Sequence, residues 1–399
     1  MKYRVNIFIL MAIVLNILLI SMVHKKEENI RKEIEQQFKK NLSIIQNKIK
    51  ETEELKKTFY ENQNEIKELE AERLLNNNSL ISSDVKVRID TLKIKHKIRK
   101  IIAYIFYGRR EFMKILFPYL DSNLKVNGGI LDKIVLCEHL LGPEKEKNKE
   151  YLTEYLTKHK TGYELVGPIG DHHFTQLYSI LHDDDLVFKI DDDTVFIANG
   201  TFENMVEDYL KNDRFITSAN VINHHTFSAI HRNMNILVPF TELDNNTWIQ
   251  GETVKKHNET TSFEKCMTKR LLNWRDKPKC AAIAHENLLY HVYRNKFNLT
   301  LYDFKIYDIN SFNYEAWRVN FILFKGNVIN KMRIKYEHIS SDEEIITEYL
   351  PRDSNKHCYS VGSAVVSHFA YSTDGNYKYL ITTDLLSKYE KLSIDYFKF

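Results

Sequence analysis

Leu186-Val187-Phe188-Lys189-Ile190-Asp191-Asp192-Asp193-Thr194-Val195-Phe196-Ile197 is an apolar, β-branched run that stops in three carboxylates and then resumes. Such a run reads as a buried strand. Acids at its end are costly unless they are paired or bind metal. In open α/β sheets ligands sit outside the carboxyl ends of the strands, and carboxylate oxygens there suit Mg²⁺ or Mn²⁺ shared with substrate phosphates. Strand alternation puts Asp191 and Asp193 on one side and Asp192 on the other. That Asp-x-Asp arrangement can clamp the diphosphate of an activated sugar through a divalent cation. The competing reading is a solvated acidic turn.

Working outward, elements alternate on both sides of this stretch. Strands are expected at Ile101–Tyr107, Lys133–Cys137, Tyr163–Val166, Phe215–Ile222, Val319–Phe324 and Ser363–Phe369. Helices are expected at Glu111–Leu120, Lys147–His159, His173–Leu181, Thr201–Leu210, Ala281–Arg294, Thr383–Leu392 and, short and acidic, at Asp342–Tyr349 before Pro351. Alternating strands and helices call for an α/β fold with a mostly parallel central sheet covered on both faces. Residues His231 to Lys279 carry Asn and Thr clusters and few apolar runs, which suggests long loops over a cleft. No GxGxxG, Walker A, HExxH or GxSxG sequence occurs, so neither a dinucleotide fold nor these hydrolase classes are supported.

The chain of 399 residues has room for one large domain and appendages. A net charge of +3 and the lack of a basic stripe argue against nucleic acid. The 4 cysteines have no CxxC spacing, which removes zinc-ribbon and thioredoxin readings. Cys266 and Cys280 can close a short disulfide loop if the domain is lumenal, and Cys137 reads as a buried thiol. Sequons at Asn41, Asn77, Asn199, Asn245, Asn258 and Asn298 permit a secretory location.

Val5 to Val23 is apolar and long enough to span a bilayer. A cleaved signal peptide is the rival reading, but no small-x-small site follows. Residues 1–23 are therefore expected to be a short cytoplasmic tail and signal-anchor of a single-pass type II protein in the Golgi or endoplasmic reticulum. Residues 24–83 carry apolar positions at steps of three and four on a charged helix: a stem, either a coiled coil that forms a homodimer or a lone stalk. Residues 84–399 are the remaining domain.

Five stretches, read in order, carry a resemblance. They are Asn127-Gly128-Gly129-Ile130-Leu131-Asp132, Val187 to Ile197, Ser218 to Asn223, Asn313-Tyr314-Glu315-Ala316-Trp317-Arg318-Val319-Asn320 and Gly362 to Phe369. From about Ile98 to Leu392 the chain resembles a DxD-containing, A-type glycosyltransferase-like family of largely uncharacterised proteins best known from fungi. The resemblance implies a nucleotide-diphospho-sugar transferase fold, a nucleotide-sugar donor and Mn²⁺ or Mg²⁺. It implies that Asp191 faces the ribose or sugar and the cation, that Asp193 holds the cation, and that Asp192 assists. His368, after an apolar strand, is the third metal ligand it suggests; the alternative is a core histidine at a strand end.

An inverting enzyme also needs a base for the acceptor hydroxyl. Asp308 and Glu315, in an aromatic stretch, are the candidates, against a structural role near Arg318. His172-His173 and His224-His225 read as surface or cleft-edge pairs, and Asp183-Asp184-Asp185 as a solvated turn. The leading expectation is a membrane-anchored, metal-dependent, hexosyltransferase-like enzyme acting on a glycan, protein or lipid acceptor. Its rivals are a catalytically inactive tethered binding protein, a purely structural coiled-coil protein and a metal-dependent phosphohydrolase.

Overall fold

The apolar runs at 101–107 and 186–191 become neighbouring strands, and the sheet grows outward from that pair. The computed structural model describes residues 84–140, 144–167, 178–242, 248–250, 278–310, 314, 317–336, 339, 341–369 and 374–397. The expected membrane segment and stem lie outside these residues. Among the described residues, no helix is long and apolar enough to cross a bilayer.

The strands, in chain order, are β1 (Ile101–Tyr107), β2 (Lys133–Glu138), β3 (Tyr163–Val166), β4 (Leu186–Asp191), β5 (Thr194–Ile197) and β6 (Ile216–Ile222). They continue with β7 (Phe240–Glu242), β8 (Trp248–Gln250), β9 (Ile306–Asp308), β10 (Phe321–Lys325) and β11 (Cys358–His368). The main sheet runs β3-β2-β1-β4-β10-β6-β11-β5, with β9 on β11; β7 and β8 form a separate hairpin. β3, β2, β1 and β4 are parallel, as are β6 and β11. β10 lies antiparallel between β4 and β6, and β5 and β9 run antiparallel to β11. The sheet is thus mostly parallel in strand direction, as the alternating pattern predicted.

Both central strands are buried on both faces, which is why they read as unbroken apolar runs. Ile101, Ala103 and Ile105 of β1 join Leu186, Phe188 and Ile190 of β4 in one core, with Phe112, Met205 and Leu288 from the covering helices. Ile102, Tyr104 and Val187 point the other way, against Ile329, Ile345 and Leu350. The period of two that splits these sets is the pleat itself. Phe188, with no exposed surface, meets Phe202 edge-on at 4.8 Å. Its truncation to Ala should cost about 3–5 kcal/mol.

β11 is longer than the strand expected from Ser363 onward because it contains a bulge. Val361 pairs with Ala219 and Val365 with Asn220, so residues 362–364 have no partners on β6. Gly362 is needed there, since a Cβ would stand 2.4 Å from the Phe304 backbone nitrogen.

Several elements differ from the sequence reading. A helix, Gly326–Lys335, follows β10 where none was expected. The acidic helix does not stop before Pro351: Asp342–Glu344 passes through a π-turn, Ile345–Tyr349, into the helix Leu350–Ser354. Pro351 sits directly after the π-turn, at the start of that last segment. The loop region opens with a helix, His225–Asn233. Of the helix expected at His173–Leu181, the described part is a 3₁₀ turn, Tyr178–Ile180. Cys137 and Cys358 are free and buried, and Cys280 is disulfide-bonded; Cys266 lies outside the described residues.

Candidate metal centre

The chain leaves β1 for β2 and β3 on one side and returns as β4 on the other. Strand order reverses between β1 and β4, and at such a switch point the two exits diverge and leave a crevice. Gly108 and Arg109 leave β1 there; Asp191, Asp192 and Asp193 leave β4.

Asp192 binds these exits together. Its Oδ2 accepts from the backbone N–H of Gly108 at 3.1 Å and of Arg109 at 2.9 Å, and from Arg109 Nε at 3.2 Å. Its Oδ1 accepts from Arg109 Nη2. A Cβ on Gly108 would lie 3.1 Å from the His139 carbonyl and 3.3 Å from Asp192 Oδ2, so the close approach favours glycine. Burial raises the Asp192 carboxyl, and the Arg109 guanidinium opposes that rise without cancelling it.

Asp193, the second residue of the turn that follows β4, reaches the same guanidinium. Arg109 Nη2 stands 3.1 Å from its Oδ2, and His368 Nε2 3.1 Å from its Oδ1. This buried Oδ1 accepts no hydrogen bond of ordinary geometry. Burial alone would raise the carboxyl, but His368 and Arg109 outweigh it and hold Asp193 well below the usual range.

Asp191 ends β4 and is the most exposed of the three. Lys189 Nζ, two residues back on the same face, binds its Oδ1, and Asn320 Nδ2 donates to its Oδ2 at 2.8 Å. Lys189 is buried and also donates to the Val319 carbonyl at 3.1 Å. Burial alone would lower its pKa; Asp191, foremost among nearby acids, raises it and keeps the ammonium charged.

His368 arrives from β11. The register of β11 against β5 slips between Ser367 and His368, where Val195 of β5 is left without a partner on β11. Its Nε2 lies 3.7 Å from Asp191 Oδ2 as well as 3.1 Å from Asp193. Ligand atoms of Asp191, Asp193 and His368 all fall within 4.8 Å of one another. Neighbouring ligands at about 2.1 Å from one octahedral ion stand about 3 Å apart, so these residues fit a small divalent cation after slight adjustment. Three carboxylates gather there against the side chains of Lys189 and Arg109.

The other expected residues do not join this cluster. Asp308 pairs with Tyr359 near the start of β11, and His357 Nδ1 holds its Oδ2 at 2.7 Å. The residues of β6 opposite Tyr359 and Ser367 are Thr217 and Ile222, five apart, so Asp308 stands about 17 Å away along the sheet. Glu315 and His172-His173 lie outside the described residues. His224 is buried, not at the surface: its Nδ1 caps the helix His225–Asn233 by accepting Thr226 N–H at 3.2 Å. Asp185 of the second acidic triplet is also buried, against Arg99 at 2.6 Å.

Sequence reasoning missed Arg109, Lys189 and Asn320. A lysine inside an apolar strand run was a signal, because a buried ammonium needs a carboxylate. So was an arginine directly after the first strand.

No protein-family model and no curated protein sequence matches the chain. Among solved structures it is similar to the crystal structure of GalNAc-T7 with UDP, GalNAc and Mn²⁺, at a TM-score of 0.39 and 12% identity. The alignment covers 69% of this chain and 44% of that one, so the chain spans less than half the length of that glycosyltransferase. A likeness of this degree assigns neither family nor activity.

Proposed function

We propose that this chain is a divalent-metal-dependent glycosyltransferase that moves a sugar, as a hexosyltransferase does, from a nucleotide-sugar donor to an acceptor hydroxyl. The observation that supports it most is the meeting of Asp191, Asp193 and His368 at the switch point of the sheet. In this reading Asp193 and His368 hold the cation, and the more exposed Asp191 reaches both cation and donor. A mixed oxygen and imidazole set suits Mn²⁺ better than Mg²⁺. When bound, the cation offsets charge on the departing diphosphate. Asp192 serves by fixing Arg109, a second positive charge beside the crevice, rather than by touching donor. Lys189 and Asn320 orient the Asp191 carboxylate. Glu315, five residues before Asn320, is the base we propose for the acceptor.

The same reading makes the protein a single-pass type II protein of the Golgi or endoplasmic reticulum lumen, held by Val5–Val23 on the 24–83 stem. A disulfide at Cys280 suits an oxidising compartment.

A catalytically inactive, tethered binding protein is the second reading. It is favoured by the cation already present beside each carboxylate, Lys189 at Asp191 and Arg109 at Asp192 and Asp193. Thermal shift of the full chain with UDP-, GDP- and CMP-sugars, with and without Mn²⁺, separates the two when combined with nucleotide release. A donor at about a hundredfold over its dissociation constant adds about 2.7 kcal/mol of stability. Mn²⁺-dependent release of one nucleotide, lost in Asp193→Ala, supports the enzyme. Mn²⁺-dependent binding without release supports the binding protein, and no binding of metal or nucleotide overturns both.

A further inference from the structure

On the face of β11 opposite His368, a buried polar cluster grips the residues on either side of it. Successive side chains of a strand point to opposite faces. Ser367 and Phe369 therefore project towards the helices Pro278–Arg294 and Leu385–Tyr396, and His368 towards the carboxylates. His285, on the first of those helices, has no exposed surface. Its Nε2 lies 2.9 Å from the Phe369 carbonyl oxygen. That atom only accepts, so Nε2 carries the proton and Nδ1 is left as an acceptor. Nδ1 then receives the Tyr389 hydroxyl at 2.8 Å, and Ser367 Oγ donates to Tyr389 Oη at 2.9 Å.

The same Phe369 carbonyl accepts from Asn223 Nδ2 at 2.9 Å, and the Phe369 N–H donates to the Asp193 carbonyl at 2.9 Å. His285 thus reaches the segment on both sides of His368. The segment needs such a hold, because the bulge between Ser367 and His368 interrupts the β5 ladder where the imidazole must be aimed. Partners hydrogen-bonded to a metal ligand set its orientation, and their loss typically costs about ten- to a hundredfold in metal affinity; His285 acts one step further out, on the backbone that carries the ligand.

We propose that His285 is a positioning residue for the metal centre. Through the Phe369 carbonyl, and through Tyr389 and Ser367, it holds the end of β11 so that His368 Nε2 faces Asp191 and Asp193 before a cation arrives. This rests on the metal-binding reading of that centre.

The test titrates the full chain with Mn²⁺ alone, following free Mn²⁺ by electron paramagnetic resonance, beside the melting temperature of metal-free protein. Tyr389→Phe keeps the ring and removes the hydroxyl; His285→Gln keeps an amide donor for the Phe369 carbonyl. His231→Gln is the control, an equally buried histidine whose Nε2 faces Asn220 Oδ1 at 2.8 Å on another strand. The expected result is Mn²⁺ binding weakened about tenfold in Tyr389→Phe and more in His285→Gln. His231→Gln should stay within about twofold of wild type even where it lowers the melting temperature as much. Equal losses in all three variants would reduce His285 to an ordinary core residue and overturn the positioning role. Unchanged binding in Tyr389→Phe and His285→Gln, with binding lost in Asp193→Ala, would do the same while leaving the metal centre intact. No Mn²⁺ binding by wild type would overturn the centre and this inference together. If His285→Gln does not fold, Tyr389→Phe carries the comparison.

Discussion

His357 stands just before β11 and faces Asp308 at 2.7 Å; His368 ends the same strand and faces Asp193 at 3.1 Å. By distance the first pair is the tighter. Its side chains, however, are 39% and 30% exposed, against 4% and 3% for the second. Water screens the first pair and solvates each partner separately, so holding them together gains little. The second pair has no such alternative, and each charge there must be met by another protein group or by a cation. The same two residue types, carried to the two ends of one strand, give a surface contact and a candidate metal centre. Burial decides which.

The largest expected effect tests that difference directly. Asp193→Ala should destabilise the metal-free protein by about 3–5 kcal/mol in urea denaturation, since Arg109 and His368 lose a buried counter-charge. It should also abolish Mn²⁺ binding. A gain in stability would instead mean that the acids repel one another more than their cations hold them.

Lys189→Met comes next, at about 2–4 kcal/mol, because it leaves Asp191 without its ammonium. Mn²⁺ should restore more stability to this variant than to wild type, and an equal increment in both would detach Asp191 from the cation.

A third prediction sets a buried histidine beside the exposed one. Burial pushes His231 down to about 3 from its ordinary 6.5, so the fold holds it neutral. A base with a depressed folded value contributes stability that is full above pH 6.5. That contribution is lost as pH falls towards 3. The loss should approach about 5 kcal/mol across this window. His231→Gln should flatten the acid limb of the stability curve, whereas His357→Gln removes only a surface contact.

The smallest effects belong to the surface pair. Asp308→Asn and His357→Gln should each change stability by less than about 0.5 kcal/mol and leave Mn²⁺ affinity alone. A loss of metal affinity in Asp308→Asn would erase the contrast between the two ends of β11.

Local pattern made much of this legible. Alternation paired Asp191 with Asp193, and His368 stands near both, while Arg109 spans Asp192 and Asp193 alike. The apolar runs located β1, β2, β4 and β6 within a residue or two, because strands buried on both faces leave little choice of residue type. The aromatic stretch offered Asp308 as an acceptor base, yet β9 and β10 pair with different strands, and β9 meets the far end of β11, away from the carboxylates.

The sequence by itself determined most strands of the central sheet and where the acids interrupt them. These follow from periodicities of two and 3.6 written over a few neighbouring residues. Only the tertiary structure decided that Arg109 meets Asp192 across 83 positions, that His368 returns to Asp193, and that His285 backs His368 from behind. Those meetings depend on strand order, on a slipped register at Ser367 and on the exclusion of water from the exits of β1 and β4. Each of these is a property of elements packed together.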